Sequence, residues 1–298
     1  MRLLKIKFWG VRGSIPSPGP KTLRYGGNTT CITVETDDDN LIILDAGTGI
    51  HGLAQTLLKR LPVTCSVFIS HTHWDHIQGL PFFIPFFIPK NKIHIYGAFD
   101  PVYDRSIKDI LGRQMEYCYF PVREAELKAD IEYTTLRERQ TVEIGSAKVT
   151  NILMNHPVLN FGYKIECNGK SLFFTGDNEP LYNIYTPDHD YHEEYEDLIT
   201  DKNAALIDFM RGVDVLIADS AYTVQEYPAK KGWGHGTFDS CIDLAKKAET
   251  KSLYFTHHEP LRSDDDLDAL YRRLQEQYSN DSDMPQYAVA HEGLEIEL

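Results

Sequence analysis

Ser70-His71-Thr72-His73-Trp74-Asp75-His76 places four metal-capable side chains, His71, His73, Asp75 and His76, within six residues. Imidazole and carboxylate suit zinc and related divalent ions, and a turn at the end of a strand lets successive side chains converge on one point. The apolar run at 63–69 supplies that strand, because it is short, rich in Val, Ile and Phe, and follows Pro62. One turn cannot complete two coordination shells, so further ligands must come from distant segments. His156 follows an expected strand at 148–154, Asp177 follows one at 171–175, and His257 follows one at 252–255. Sheet proteins gather their site residues at such C-terminal strand ends.

Outward from this stretch, further apolar runs at 3–8, 29–35, 41–44, 92–96, 131–134, 162–167 and 213–218 read as strands. GTGIHGLAQTLLKR at 47–60 carries Ile50, Leu53, Leu57 and Leu58 at helical spacing, and Pro62 ends it. Helices are expected at 204–210, 237–250 and 267–277, followed by a short strand-like tail. Two sheet-forming halves, each finished by helices, predict an α/β fold: a four-layer αββα sandwich in one domain over 1–298. The segment at about 181–203, rich in Tyr, Asp, Glu and His, reads as an inserted surface loop, with His189 and His192 solvated. His51, His94 and His291 read as structural or surface residues.

Composition narrows the function. The 298 residues are 42% hydrophobic and 25% charged, ordinary for a folded enzyme. A formal charge of −14 disfavours long nucleic acid, whose backbone is bound through clustered Lys and Arg. A small anion can still bind, since two divalent cations reverse the field of a pocket locally. Five cysteines without C-x-x-C pairing fit reduced thiols, and hence a cytoplasmic protein. The run PFFIPFFIP at 81–89 is too short and proline-rich to span a membrane and reads as a buried or lid-like loop.

His71-x-His73-x-Asp75-His76 with His156, Asp177 and His257 resembles the metal signature of the metallo-β-lactamase superfamily. That resemblance implies His71, His73 and His156 on one metal, Asp75, His76 and His257 on the other, and Asp177 between them. It implies two divalent ions, zinc foremost and manganese an alternative. Asp45, in the LILDAGTG form, matches the superfamily's first motif and implies a residue that orients a ligand histidine. Asp177, where lactamases carry cysteine, and His73, where flavodiiron proteins carry glutamate, turn the comparison towards hydrolysis of other esters. GGNTTCITVE at 26–35, the run at 155–177, LIADSAYTVQEYPAKKGWGHGT at 216–237 and LYFTHHEP at 253–260 are similar to the ribonuclease Z-like phosphodiesterase branch. Enzymes of that branch include the anti-Pycsar cyclic nucleotide phosphodiesterases and the cyclic-phosphate phosphodiesterases of phosphonate metabolism.

The expected activity is therefore hydrolysis of small phosphodiesters, 3′,5′-cyclic nucleotides foremost, by a homodimer. A ribonuclease Z-like nuclease, a 1,2-cyclic phosphate phosphodiesterase and a glyoxalase II-like thioesterase are the alternatives. Asp75 is expected to orient or deprotonate water, and His235, in a glycine-flanked turn, to act as general acid or phosphate clamp. His258 is read as a support or substrate contact. For the Gly26-Gly27-Asn28 loop, phosphate contact and a plain tight turn both stay open, as do base stacking and core packing for Tyr222 and Trp233.

Overall fold

The computed structural model describes residues 4–298, so Leu3, in the first expected strand, lies outside the described residues. The first half contains β1 (Lys5–Gly10), β2 (Cys31–Glu35), β3 (Leu41–Leu44), α1 (Gly49–Leu57), β4 (Thr64–Phe68), α2 (Trp74–Ile77), β5 (Lys92–Gly97), α3 (Ile107–Arg113) and β6 (Asp130–Thr135). The second half contains β7 (Thr141–Ile144), β8 (Ala147–Met154), β9 (Asn160–Cys167), β10 (Lys170–Phe174), α4 (His192–Met210), β11 (Val215–Asp219), α5 (Phe238–Lys247), β12 (Ser252–Thr256), α6 (Asp264–Gln277), β13 (Gln286–Val289) and β14 (Glu295–Glu297).

Two seven-stranded sheets result, ordered β14-β1-β2-β3-β4-β5-β6 and β13-β12-β11-β10-β9-β8-β7. The central strands read as unbroken apolar runs because both of their faces are buried. In β3, Ile42 and Leu44 point between the sheets while Leu41 and Ile43 point to α1. In β11, Val215 and Ile217 face the inter-sheet core, and Leu216 and Ala218 face α5 and α6. Helices therefore cover each outer face, and the layers run αββα as expected.

Parallel pairing aligns the ends that matter. β3 pairs in parallel with β4, and β10, β11 and β12 pair in parallel with one another. Their C-terminal ends deliver Asp45, the 70–76 turn, Asp177, Asp219 and His257 to the same edge of the sandwich.

Two expectations need correction. Much of the expected loop at 181–203 is helical, because α4 begins at His192 and runs to Met210. Only Ile199 and Met210 of α4 are fully buried, so the helix carries little apolar periodicity to read. His192 Nδ1 hydrogen-bonds Tyr185 O and His189 stacks on Tyr185, both outside the metal-capable groups. The tail is two strands: β13 closes the second sheet, and β14 crosses to pair with β1. The short elements α3 and β7 carry too little pattern to be expected at all. Residues 81–89 form two short 3-10 turns that bury Phe83 and Phe86 beside α1. Among the described residues no helix is long and apolar enough to cross a membrane.

Candidate metal centre

After β4 the chain turns at His73, whose extended backbone starts the single helical turn of α2 and so puts Asp75 and His76 beside each other. His76 O accepts from Ala46 N at 2.7 Å, tying this turn to the end of β3. Gly47 is required there, since a Cβ on it would lie 2.2 Å from Asp75 O.

The turn meets the other strand ends in two overlapping groups, His71, His73, His156 with Asp177 and Asp75, His76, His257 with Asp177. Within each group the donor atoms lie within 4.8 Å of one another. Asp177 Oδ2 is 3.4 Å from His71 Nε2 and 3.9 Å from His156 Nε2. Its other oxygen, Oδ1, is 3.1 Å from His76 Nε2 and 3.2 Å from His257 Nε2. One carboxylate thus faces both groups, one oxygen to each. His71 Nε2, His76 Nε2 and Asp177 Oδ1 are buried without a hydrogen-bond partner. Buried polar atoms are normally paired, so these orphans and the nitrogen and oxygen donor set fit two divalent ions.

Charge divides the histidines. Burial lowers His71, His73 and His156, leaving neutral rings able to ligate. Burial also opposes charge on His76 and His257, yet the carboxylates around them outweigh it and raise both. Asp75 and Asp177 stay ionised despite burial, held well below the usual carboxylate range by His76 and His257.

Supporting contacts fix the ring orientations. Asp45 Oδ2 accepts from His76 Nδ1 at 2.7 Å, while Asp45 Oδ1 accepts from Ser70 N at 2.6 Å. His76 Nε2 is thereby directed at Asp177. His156 Nδ1 donates to Gly234 O at 2.9 Å, which points its Nε2 inward. Ser14 N donates to Asp75 Oδ2 at 2.6 Å. Asp45 and His257 both adopt positive φ, near +60°, a conformation costing about 1–3 kcal/mol that persists where surroundings enforce it, typically at functional sites.

The β-lactamase superfamily domain matches residues 40–258. The chain belongs to the metallo-β-lactamase superfamily. Ribonuclease Z of Thermoplasma acidophilum is 21% identical over 96% of this chain and 96% of its own length. The metallo-β-lactamase fold protein YhfI of Bacillus subtilis superposes with a TM-score of 0.69 over all of both chains at 17% identity. A diphosphatase of the PhnP family gives 0.65 at 19% identity, covering 99% of this chain and 98% of its own.

Within this superfamily framework the other expected residues separate. His235 joins the centre: Nδ1 lies 2.9 Å from Asp219 Oδ2, and the ring stacks on His257 at 4.7 Å between centroids. Burial alone would lower His235, but Asp219 and Asp177 raise it to about 9. His258 turns away: it is fully buried, its Nε2 donates to Ala290 O at 2.8 Å, and burial lowers it to about 3. Asn28 is also taken up by the fold, since its backbone N and its Nδ2 both donate to Glu292. Gly26 N donates to Thr22 O, so the Gly26 and Asn28 amides of this turn are both engaged within the fold. Tyr222 is buried, edge-on to His235, and offers no open face for stacking, whereas Trp233 is 56% exposed with Lys230 Nζ 4.0 Å from its ring.

Sequence reasoning missed Asp219 and Glu179. Asp219 ends β11 and touches both His235 and, at 3.5 Å, His257 Nδ1. Its position at a strand end, like that of Asp177, was the available signal. Glu179 is buried and accepts from Tyr227 OH, Gly232 N and Gly234 N at 2.7, 2.8 and 2.9 Å. Nothing in the local sequence announces that role, because all three donors lie about fifty residues on.

Proposed function

We propose that the chain hydrolyses small phosphodiesters, 3′,5′-cyclic nucleotides foremost, to monophosphates, with His71, His73 and His156 holding one divalent ion and Asp75, His76 and His257 the other. The observation that carries this reading is Asp177, whose two oxygens address the two groups separately. Zinc is the ion we propose, with manganese as the alternative the same donors accept. Such ions would make hydroxide available near neutral pH and offset the charge of the phosphoryl oxygens.

The side chains supply the rest. Asp75, pinned by the Ser14 amide, orients the attacking water and takes up its proton. His235 binds Asp219 through Nδ1, so Nε2 is the atom left to protonate the departing alkoxide. Asp219 stabilises the imidazolium, which keeps that acid charged at neutral pH. Glu179 holds the Gly232 and Gly234 amides and so sets the position of His235 and of the carbonyl that orients His156. Trp233, exposed on the same segment, is the stacking face we assign to a base. The reading extends to a cytoplasmic homodimer.

A ribonuclease Z-like nuclease is the second reading, favoured by relatives that carry that name. The charge of −14 weighs against it. Cyclic AMP, cyclic GMP, a tRNA precursor and a glutathione thioester, assayed side by side on metal-replete protein, separate the possibilities. Hydrolysis of the cyclic nucleotides is expected; cleavage of the thioester alone would overturn the proposal.

A further inference from the structure

Arg12 is a wholly buried cation that meets the carboxylate of Asp264 only at 3.9 Å. Burying a charge is costly unless close hydrogen bonds offset the lost hydration. Three backbone carbonyls do so here. Arg12 Nε donates to Gly26 O at 2.7 Å, and Nη1 donates to Arg262 O at 2.7 Å and to Glu259 O at 3.2 Å. Gly26 lies in the connection between β1 and β2, whereas Glu259 and Arg262 lie just beyond His257 and His258. The guanidinium therefore ties together two segments that are distant in sequence, and its planar fork suits carbonyls that approach from different directions.

The segment that Arg12 anchors passes over one side of the candidate metal centre. Gly13 N donates to His258 O at 3.0 Å and His258 N donates to Val11 O at 2.9 Å, so residues 11–13 run as a strap beside His258. Gly13 lies so close to the neighbouring His257 ring that a Cβ there would be 2.2 Å from its Cε1. Ser14 adopts a positive φ of 61°, unfavourable for a residue with a side chain, and turns its N–H onto Asp75 Oδ2 at 2.6 Å. His257 and Asp75 belong to the same group of candidate ligands. The other group is held by different means, since His156 is oriented by Gly234 O.

We infer that Arg12 is a positioning residue for one of the two ions: by clamping the 11–14 strap it sets His257 and Asp75 as ligands of the ion they share with His76, and it has no hold on the ion of His71, His73 and His156. The inference rests on the two-ion reading above for what these side chains bind. It adds a buried residue outside both ligand groups that governs one ion selectively.

Zinc affinities from chelator competition test this without recourse to turnover. The wild type should bind zinc in two steps. Arg12→Met, which removes the fork and the charge, should weaken one step by about tenfold or more and leave the other within about twofold. Arg12→Lys keeps the charge without the fork and should weaken the same step by a smaller factor. It decides the matter if circular dichroism shows the methionine variant unfolded. His73→Ala removes a ligand of the other ion only and so identifies the step: in that background Arg12→Lys should lower the affinity of the remaining ion by the same factor. Equal weakening of both steps, no weakening in either folded variant, or a remaining ion that ignores Arg12→Lys in the His73→Ala background overturns the assignment. If the wild type binds fewer than two ions, the two-ion reading fails, and the ring-nitrogen resonances of the histidines in metal-free protein test the strap by itself. Arg12→Lys should then shift those of His257 and spare those of His156; an unmoved His257 refutes the role of Arg12.

Discussion

Replacing Glu179 with Gln perturbs the site without touching any proposed metal ligand. In the native protein one oxygen of Glu179 serves Tyr227 OH and Gly232 N, and the other serves the buried Gly234 N. Glutamine keeps the first oxygen and puts an NH2 group against the Gly234 N–H, donor against donor. One charge-assisted hydrogen bond is lost and a buried donor is stranded, which together cost about 3 kcal/mol. For a chain of this size the melting temperature should fall by roughly 5 °C. Gly234 also orients His156 through its carbonyl and precedes His235, so a displacement of about 1 Å at this point should lower kcat on the order of 100-fold. The affinity for metal should weaken ~10-fold or more through His156. Tyr227→Phe is the control: it removes one outer bond, leaves Gly234 paired, costs about 1 kcal/mol and changes kcat by a few-fold at most. Calorimetric melting, metal titration and steady-state kinetics on a cyclic nucleotide read all three effects. Glu179→Gln protein within twofold of wild type in kcat, with an unshifted melting temperature, refutes the reasoning.

His235→Ala should lower kcat by roughly 100- to 10,000-fold while two ions per chain remain bound, as a general acid requires and a metal ligand does not; metal analysis beside kinetics decides. The metal-free His235 sits near pKa 9, and divalent ions on Asp177 would leave Asp219 as its counter-charge, so activity should fall at a pH between the ordinary 6.5 and 9. Asp219→Asn should move that descending limb to lower pH; an unmoved limb excludes the pair. His76 and His257 are raised in the metal-free protein by the surrounding carboxylates, so metal loading should release protons, read from the buffer dependence of the calorimetric heat. The same raised values stabilise the metal-free fold fully below the unfolded pKa near 6.5, and this gain is lost as pH rises through the folded values, which pH-dependent melting will show. Asp45→Asn sets an amide against His76 Nδ1–H and should weaken metal binding ~10–100-fold; unchanged affinity in a chelator competition excludes that role.

The strands that build the centre were legible because each is a short apolar run ending in a metal-capable residue. Burial on both faces removes alternation from β3, β4 and β11, and length with flanking turns identifies them instead. α5 was legible from its apolar spacing, and Thr237 caps it through Ser240 N. By contrast α4 is mostly solvated, so its sequence holds charge and helix formers without a stripe. The partners of Asp219 and Glu179 are fixed by tertiary contacts over 16 to 55 residues, a distance at which local pattern carries no information. The same holds for Asn28, whose backbone N and Nδ2 donate to Glu292, 264 residues later.

Turnover of a 3′,5′-cyclic nucleotide by metal-free protein titrated with zinc or manganese tests the dinuclear reading most directly. Monophosphate formation should emerge with the second equivalent of metal per chain and be absent after Asp177→Asn. Full turnover at a single equivalent, or none at two, would contradict it.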